Sequence, residues 1–172
     1  MVRQRVFSGS SWEEKAGYCR AMRIGNQIFV AGTAPSDGQG GTFAPGDAYA
    51  QTKRCFEIIE EALLDLGADL SDIVRTRLYV TDMGRWEEFA QAHQELFGDH
   101  PPVNTMLEIK GLVNPDMLVE VEVEALLDLD IEPQPMPDLA LNQPAPLAIR
   151  ATTQRPIGSN RSPADMDVGY LD

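Results

Sequence analysis

The chain predicts an α+β fold, with a mixed sheet of four or more strands and two helices packed on one face. Three observations carry this reading. Residues 119–125 run Val-Glu-Val-Glu-Val-Glu-Ala, a strict alternation. Residues 47–66 and 84–97 each repeat apolar side chains at helical spacing. Strand-like runs before, between and after them give the order β-β-α-β-α-β-β, and two helices cover only one face of such a sheet.

Taken in order, CRAMRIGNQIFVAGTA (residues 19–34) predicts a hairpin. Gly25-Asn26 supplies the turn and Gln27–Ala31 is apolar and β-prone. The loop SDGQGGTFAPGD follows. It has several glycines but no Gly-Lys-Ser/Thr opening a helix, so it reads as a surface loop and not a phosphate loop. In the first helix Phe56, Ile59, Leu63 and Leu66 form the apolar stripe, Glu57, Glu60 and Glu61 face outward, and Gly67 stops it. Residues 73–81 alternate as a strand, with Thr76, Leu78 and Val80 on one face and Arg75, Arg77 and Tyr79 on the other. The second helix carries Trp86, Phe89, Ala90, His93 and Phe97 as a rough stripe, and Pro101-Pro102 closes it. Strands at Asn104–Lys110 and Leu118–Leu127 complete the set.

In the last strand Val119, Val121 and Val123 point to the helices and Glu120, Glu122 and Glu124 point away. Successive glutamates stand about 6–7 Å apart along the strand. Three like charges at that spacing require water, cations or donors. The face away from the helices thus carries Arg75, Arg77, Tyr79, Glu108, Glu120, Glu122 and Glu124. Closing such faces into a barrel through a cyclic oligomer would pair arginine with glutamate.

The whole-chain totals exclude several functions. The chain has 172 residues and a formal net charge of −13. That charge argues against nucleic acid and against anionic membrane surfaces. No run approaches the roughly 18 apolar residues of a membrane span, and the N-terminus shows no secretory h-region. Cys19 and Cys55 form neither a disulfide framework nor a zinc spacing, which fits reduced thiols in a cytoplasmic protein. His93 and His100, the only histidines, have no metal-ligand spacing. Residues 1–128 read as one domain. Residues 129–172 hold seven of the twelve prolines with apolar residues scattered without period, and predict a tail that is disordered or docked on a neighbouring subunit.

With these residues in place, the chain resembles the RidA family, the YjgF-type reactive intermediate imine deaminases. The matching segments are AGYCRAMRIGNQIFVAGTAP, DAYAQTKRCFEIIEEALLDLGADLSDIVRTRLYVTDM, WEEFAQAHQELFGDHPP and MLVEVEVEA, in the family's order and spacing. The resemblance implies a chorismate-mutase-like subunit, a homotrimer with clefts between subunits, and hydrolysis of imines or enamines of small metabolites without metal or cofactor. It implies Glu122 as the water-positioning acid/base and Tyr18 and Thr33 as cleft residues. It also exposes a departure. Where deaminating members read Pro-x-Arg-Ser/Thr, this chain reads Pro102-Val103-Asn104-Thr105. Asparagine offers no charge-assisted fork to a carboxylate. Asn104 and Thr105 are then expected to orient a neutral or less acidic substrate. Arg77, on the polar face, and Arg20, two residues after Tyr18, are the cations that can replace the missing one, unless both pair with Glu108, Glu120 or Glu124. Two functions follow: a divergent imine or enamine hydrolase, or a non-catalytic trimer that binds a metabolite or a protein. A ribonuclease, a third reading attached to the family, is disfavoured by the charge and by the lack of a His–Lys constellation.

Overall fold

In a computed structural model, residues 2–128 are described, so the tail expected at 129–172 lies outside the described residues. Six strands form one sheet: β1 (Arg3–Val6), β2 (Ala21–Ile24), β3 (Gln27–Thr33), β4 (Ile73–Val80), β5 (Val103–Glu108) and β6 (Val119–Leu126). Their spatial order is β1-β2-β3-β6-β4-β5. All neighbours are antiparallel except β4 and β5, which run parallel. A parallel pair needs a crossover, and α3 (Trp86–Phe97) supplies it. The long helix is α2 (Ala48–Leu64), and a short α1 (Ser11–Ala16) precedes the hairpin.

The alternation places the core where the sequence puts it. Val119, Val121 and Val123 on β6 and Thr76, Leu78 and Val80 on β4 are buried against Phe56, Ile59 and Leu63 of α2 and Phe89 and Phe97 of α3. Phe56 meets Phe97 edge-on, with centroids 5.1 Å apart. Asp47 caps α2 by accepting from the Ala50 amide at 2.9 Å. Gly67, at φ 77°, turns the chain out of α2 in the left-handed conformation that glycine tolerates best.

Three expectations need correction. The predicted order lacks β1 and α1. β1 is Arg-Gln-Arg-Val, exposed over its first three residues, and is held by backbone pairing to β2, so it has no hydrophobic pattern to read. α1 spans six residues, shorter than two helical turns, and is fixed by its ends: Ser10 accepts from the Trp12 amide and Gly17 takes φ 73°. Trp86 is 52% exposed and does not join the apolar stripe, where Ala92 is buried instead. Glu108 is not on the polar face. Its parallel partner is Val80, which faces the helices, and its carboxylate accepts from the Met83 amide at 2.7 Å, capping the turn before α3.

Truncating Phe56 to alanine removes a fully buried ring from the point where α2, α3 and the sheet meet. The loss expected in urea unfolding is about 3–5 kcal/mol, and a loss below about 1 kcal/mol would contradict this placement of the core.

Candidate functional site

Two neighbouring regions hold all but two of the residues singled out by the sequence. The first is a cavity of about 590 Å³ built from the β1–α1 turn, the residues between α1 and β2, the end of β3 with the glycine-rich loop after it, one side of α2, and the start of β6 with the loop before it. Tyr18, Arg20, Gly32, Thr33, Arg54 and Glu120 are among its walls. Tyr18 is placed by the end of α1, where its amide bonds to Glu13 O at 3.1 Å. Thr33 ends β3 beyond an irregularity between Val30 and Thr33.

Arg20 organises this cavity and is only 7% exposed. Its Nη1 donates to Gly32 O and to Thr33 Oγ1, both at 2.9 Å. Its Nη2 makes a longer contact, 3.4 Å, to the Tyr18 hydroxyl. Its ion pair is with Glu13, at 3.8 Å from Nε, and not with Glu120. Glu13 is itself buried. Burial works against its charge, but hydrogen bonds from Ser8 and Gly9 and the charge of Arg20 prevail, and its carboxyl titrates below the ordinary value. The Thr33 hydroxyl donates its one proton to Ala31 O at 2.9 Å and accepts from Arg20. Thr33 is therefore a prop for Arg20 in this cavity.

Glu120 lies against Gly32. A Cβ on that glycine would stand 2.6 Å from Glu120 Oε1, so the missing side chain makes room for the carboxyl. Burial pushes the Glu120 carboxyl above its ordinary pKa, Arg20 pulls it back, and Glu122 adds to the rise.

The second region is the sheet face away from the helices. Arg77 forks between two glutamates, with Nη1 at 2.7 Å from Glu122 Oε1 and Nη2 at 2.9 Å from Glu124 Oε1. Tyr79 donates to Glu122 Oε2 at 3.0 Å. Arg75 adds a contact to Glu124 at 3.4 Å. Both oxygens of Glu122 are thus occupied, and Arg77 is neutralised by the strand glutamates.

Asn104 and Thr105 belong to neither arrangement. Asn104 pairs in register with Thr76 and shares its side of the sheet. Its Nδ2 donates to Thr76 Oγ1 at 2.8 Å, and that hydroxyl lies 2.9 Å from His93 Nε2. His93 packs on Phe56 and Phe97, and its burial lowers its pKa. Thr105 is exposed on β5 at the register position of Arg77. The structure therefore brings Tyr18 and Thr33 together with Arg20 and Glu120, and separates them from Asn104, Thr105 and the Arg77–Glu122 pair. Sequence reasoning weighed Arg20 but did not single it out, and it treated Glu120 as a balancing charge. The position of Arg20 two residues after Tyr18 is the signal that points to it.

Among the described residues no group of three or more His, Cys, Asp or Glu side chains is arranged to hold a metal ion. No helix among them is long and apolar enough to cross a membrane.

The family model described as Endoribonuclease L-PSP matches residues 9–127. The chain belongs to the YjgF/RidA family. It is 38% identical over 122 residues to the uncharacterized protein SCO2049 of Streptomyces coelicolor, covering 71% of this chain and 90% of that protein. It is 30% identical over 106 residues to the 3-aminoacrylate deaminase RutC of Acinetobacter baylyi, covering 62% of this chain and 83% of the relative. Among solved structures, Rv2704 of Mycobacterium tuberculosis, a member of the YjgF/YER057c/UK114 family, superposes with a TM-score of 0.67 at 44% identity. The match covers 73% of this chain and all of that one. The six-stranded mixed sheet with few helices is the fold these relatives share.

The raised pKa of Glu120 has a consequence for stability. A carboxyl whose folded pKa exceeds its unfolded value binds its proton more tightly when folded, so the fold loses stability as pH rises through that window. Glu120→Gln removes this loss. The variant is expected to melt higher than the parent at neutral pH, with the difference vanishing at pH below the ordinary carboxylate range, as read from melting temperature against pH.

Proposed function

We propose that this protein is a divergent imine or enamine hydrolase acting on a small metabolite, with Glu120 as its acid/base. The observation that carries this reading is the cavity in which the Glu120 carboxyl, its pKa raised by burial, shares walls with Tyr18, Thr33 and a buried arginine. A protonated Glu120 donates to the imine nitrogen, or to the β-carbon of an enamine. Water adds to the electrophilic carbon and returns a proton to the carboxylate. The tetrahedral adduct then expels ammonia, so an imine and one water give one carbonyl and one ammonia. This chemistry needs only a positioned acid/base and water. The similarity to a 3-aminoacrylate deaminase supports the reaction class.

The resemblance assigns the acid/base to Glu122, whereas the geometry favours Glu120. Glu122 accepts from Arg77 and Tyr79, contacts that occupy the oxygens a reacting proton would use. We assign it a positioning and electrostatic role beside Glu120. A second reading, a non-catalytic metabolite-binding protein, draws on Asn104, whose amide is turned to Thr76 and His93 and replaces no cation in the cavity. The endoribonuclease in the family model's description is disfavoured, because a net charge of −13 repels a phosphate backbone.

We also propose a homotrimer in which the open sheet faces approach one another around a central barrel, with clefts between subunits next to the cavity. Phe29, 43% exposed and paired in register with Glu124, and the half-buried Arg77–Glu122–Glu124 cluster support it. Light scattering of the purified protein should give the mass of three chains, and a monomer mass would remove this part of the proposal.

Purified protein should release ammonium from imines generated in place by an amino-acid oxidase. Glu120→Gln should lower kcat/KM roughly a hundredfold or more, and Glu122→Gln should cost far less. The reverse ranking would return the acid/base role to Glu122. No ammonium from any imine tested would favour the binding protein. Gly32→Ala, which crowds the Glu120 carboxyl from the other side, should reduce turnover while leaving the fold intact, because Gly32 does not adopt a positive φ.

A further inference from the structure

We propose that Thr76, His93 and Asn104 form a proton-driven polarity switch on the β5 edge. With the His93 ring neutral, Asn104 presents its amide oxygen outward as an acceptor. With the ring protonated, it presents its amide nitrogen outward as a donor. The switch stands apart from the cavity and does not depend on the hydrolase reading.

Three side chains from three elements meet here. Thr76 on β4 is fully buried, His93 on α3 is half-buried and Asn104 on β5 is exposed. Asn104 Nδ2 stands 2.8 Å from Thr76 Oγ1 and 3.5 Å from His93 Nε2. Thr76 Oγ1 lies 2.9 Å from the same ring nitrogen. An amide nitrogen only donates, and a hydroxyl has one proton to give. Two donors therefore converge on Nε2, which fits a neutral ring with its proton on Nδ1. The hydrogen-bond network assigns the direction: Asn104 donates to Thr76, and Thr76 donates to His93. Asn104 Oδ1 is then the amide atom turned away from both.

One proton reverses this chain. A protonated imidazole donates from both nitrogens. With Nε2–H aimed at Thr76 Oγ1, the hydroxyl proton loses its acceptor, and a buried donor without a partner is costly. The last torsion of asparagine is soft and roughly two-fold, and Asn104 is exposed. Turning its amide over brings Oδ1 to the waiting proton. His93 then donates to Thr76, Thr76 donates to Asn104, and Nδ2 faces outward. In the neutral state the position takes an N–H or O–H group of a ligand. In the protonated state it takes a carbonyl or carboxylate oxygen.

The surroundings leave the ring to respond to pH on its own. The side chains set against it are Phe56 of α2, Phe97 of its own helix, Thr76 of β4 and Asn104 of β5. Glu95, two residues along α3, is tied to Tyr49, Gln91 and Lys53. On the turns beside α3, Asp69 and Asp72 close a capping box and Arg85 pairs with Glu88. Burial alone lowers the His93 pKa. The ring is therefore neutral at neutral pH, and the switch turns on the acid side of the ordinary histidine range.

The test is nuclear magnetic resonance of the isotope-labelled intact protein between about pH 8 and about pH 5. Long-range nitrogen–proton correlations should place the neutral His93 proton on Nδ1. Nuclear Overhauser contacts from the Asn104 amide protons to the Thr76 methyl group should be present at neutral pH. They should be lost with the midpoint of the His93 titration, while the backbone amides of β4 and β6 hold their positions. His100, the other histidine, is exposed and serves as the internal reference. Thr76→Val keeps the side-chain shape and cuts the relay, so His93 should still titrate and the Asn104 amide should no longer follow it. A neutral ring with its proton on Nε2, an Asn104 amide indifferent to His93, or coupling preserved in Thr76→Val would each overturn the switch. Backbone amides of the sheet moving with the same midpoint would also overturn it, since the fold and not the amide would then be changing. Where Thr76→Val does not fold, the parent protein decides. Coincident midpoints for His93 and the Asn104 amide support the switch, and midpoints separated by more than about one pH unit overturn it.

Discussion

Three carboxylates on one face of β6 set the terms for the rest of this molecule. A strand cannot turn alternate side chains independently, so burying Val119, Val121 and Val123 forces Glu120, Glu122 and Glu124 together on the other side. Their repulsion has to be met by neighbours at fixed register positions. Arg77, opposite Glu122 on β4, spans Glu122 and Glu124, and Arg75 reinforces the second of these. No such fork reaches Glu120. Its register partner is Tyr79, whose hydroxyl is spent on Glu122. The third carboxyl is therefore left to burial and to the distant charge of Arg20, and it keeps its proton more readily than an ordinary glutamate. Structural compensation of two charges and chemical readiness of the third are consequences of one register.

Gly32 extends this logic across the sheet. A side chain there would collide with the Glu120 carboxyl, so the identity of one residue on β3 decides whether that carboxyl fits at the start of β6. The irregularity between Val30 and Thr33 brings Thr33 to Arg20, and with it the carbonyls that hold the guanidinium. The cavity is a by-product of a strand that stops pairing regularly just before a loop.

Much of this was legible in the sequence, and the reasons for success and failure are specific. The core faces of β4 and β6 follow from period-two alternation, which has one solution once one face is apolar. The helices follow from Phe56, Ile59 and Leu63 and from Phe89 and Phe97. β1 was invisible because an edge strand held by backbone bonds needs no apolar pattern, and α1 because six residues give too little periodicity. Glu108 was placed on the wrong face because its side is fixed by the parallel register with Val80, a long-range fact. The same register turns Asn104 toward Thr76. The departure from the family's arginine is plain in the sequence, and the spacing of Arg20 from Tyr18 points to a second cation, but its bonds to Gly32 and Thr33 depend on strand pairing that no local pattern reports.

That locking also sets Arg20 apart from a surface arginine. A long arginine on a surface loses rotamer freedom when it grips a ligand, and that loss is subtracted from affinity. Arg20 has already lost it in folding, because Gly32 O and Thr33 Oγ1 fix one side of the plane and the Tyr18 ring lies 5.6 Å from its Cζ. Its Nε is buried without a hydrogen-bond partner, 3.8 Å from the Glu13 carboxylate. The same bonds make the residue hard to exchange, since any replacement must satisfy two acceptors on β3 and the Glu13 carboxylate. The guanidinium thus ties the end of β3 and the start of α1 to one point on the cavity wall.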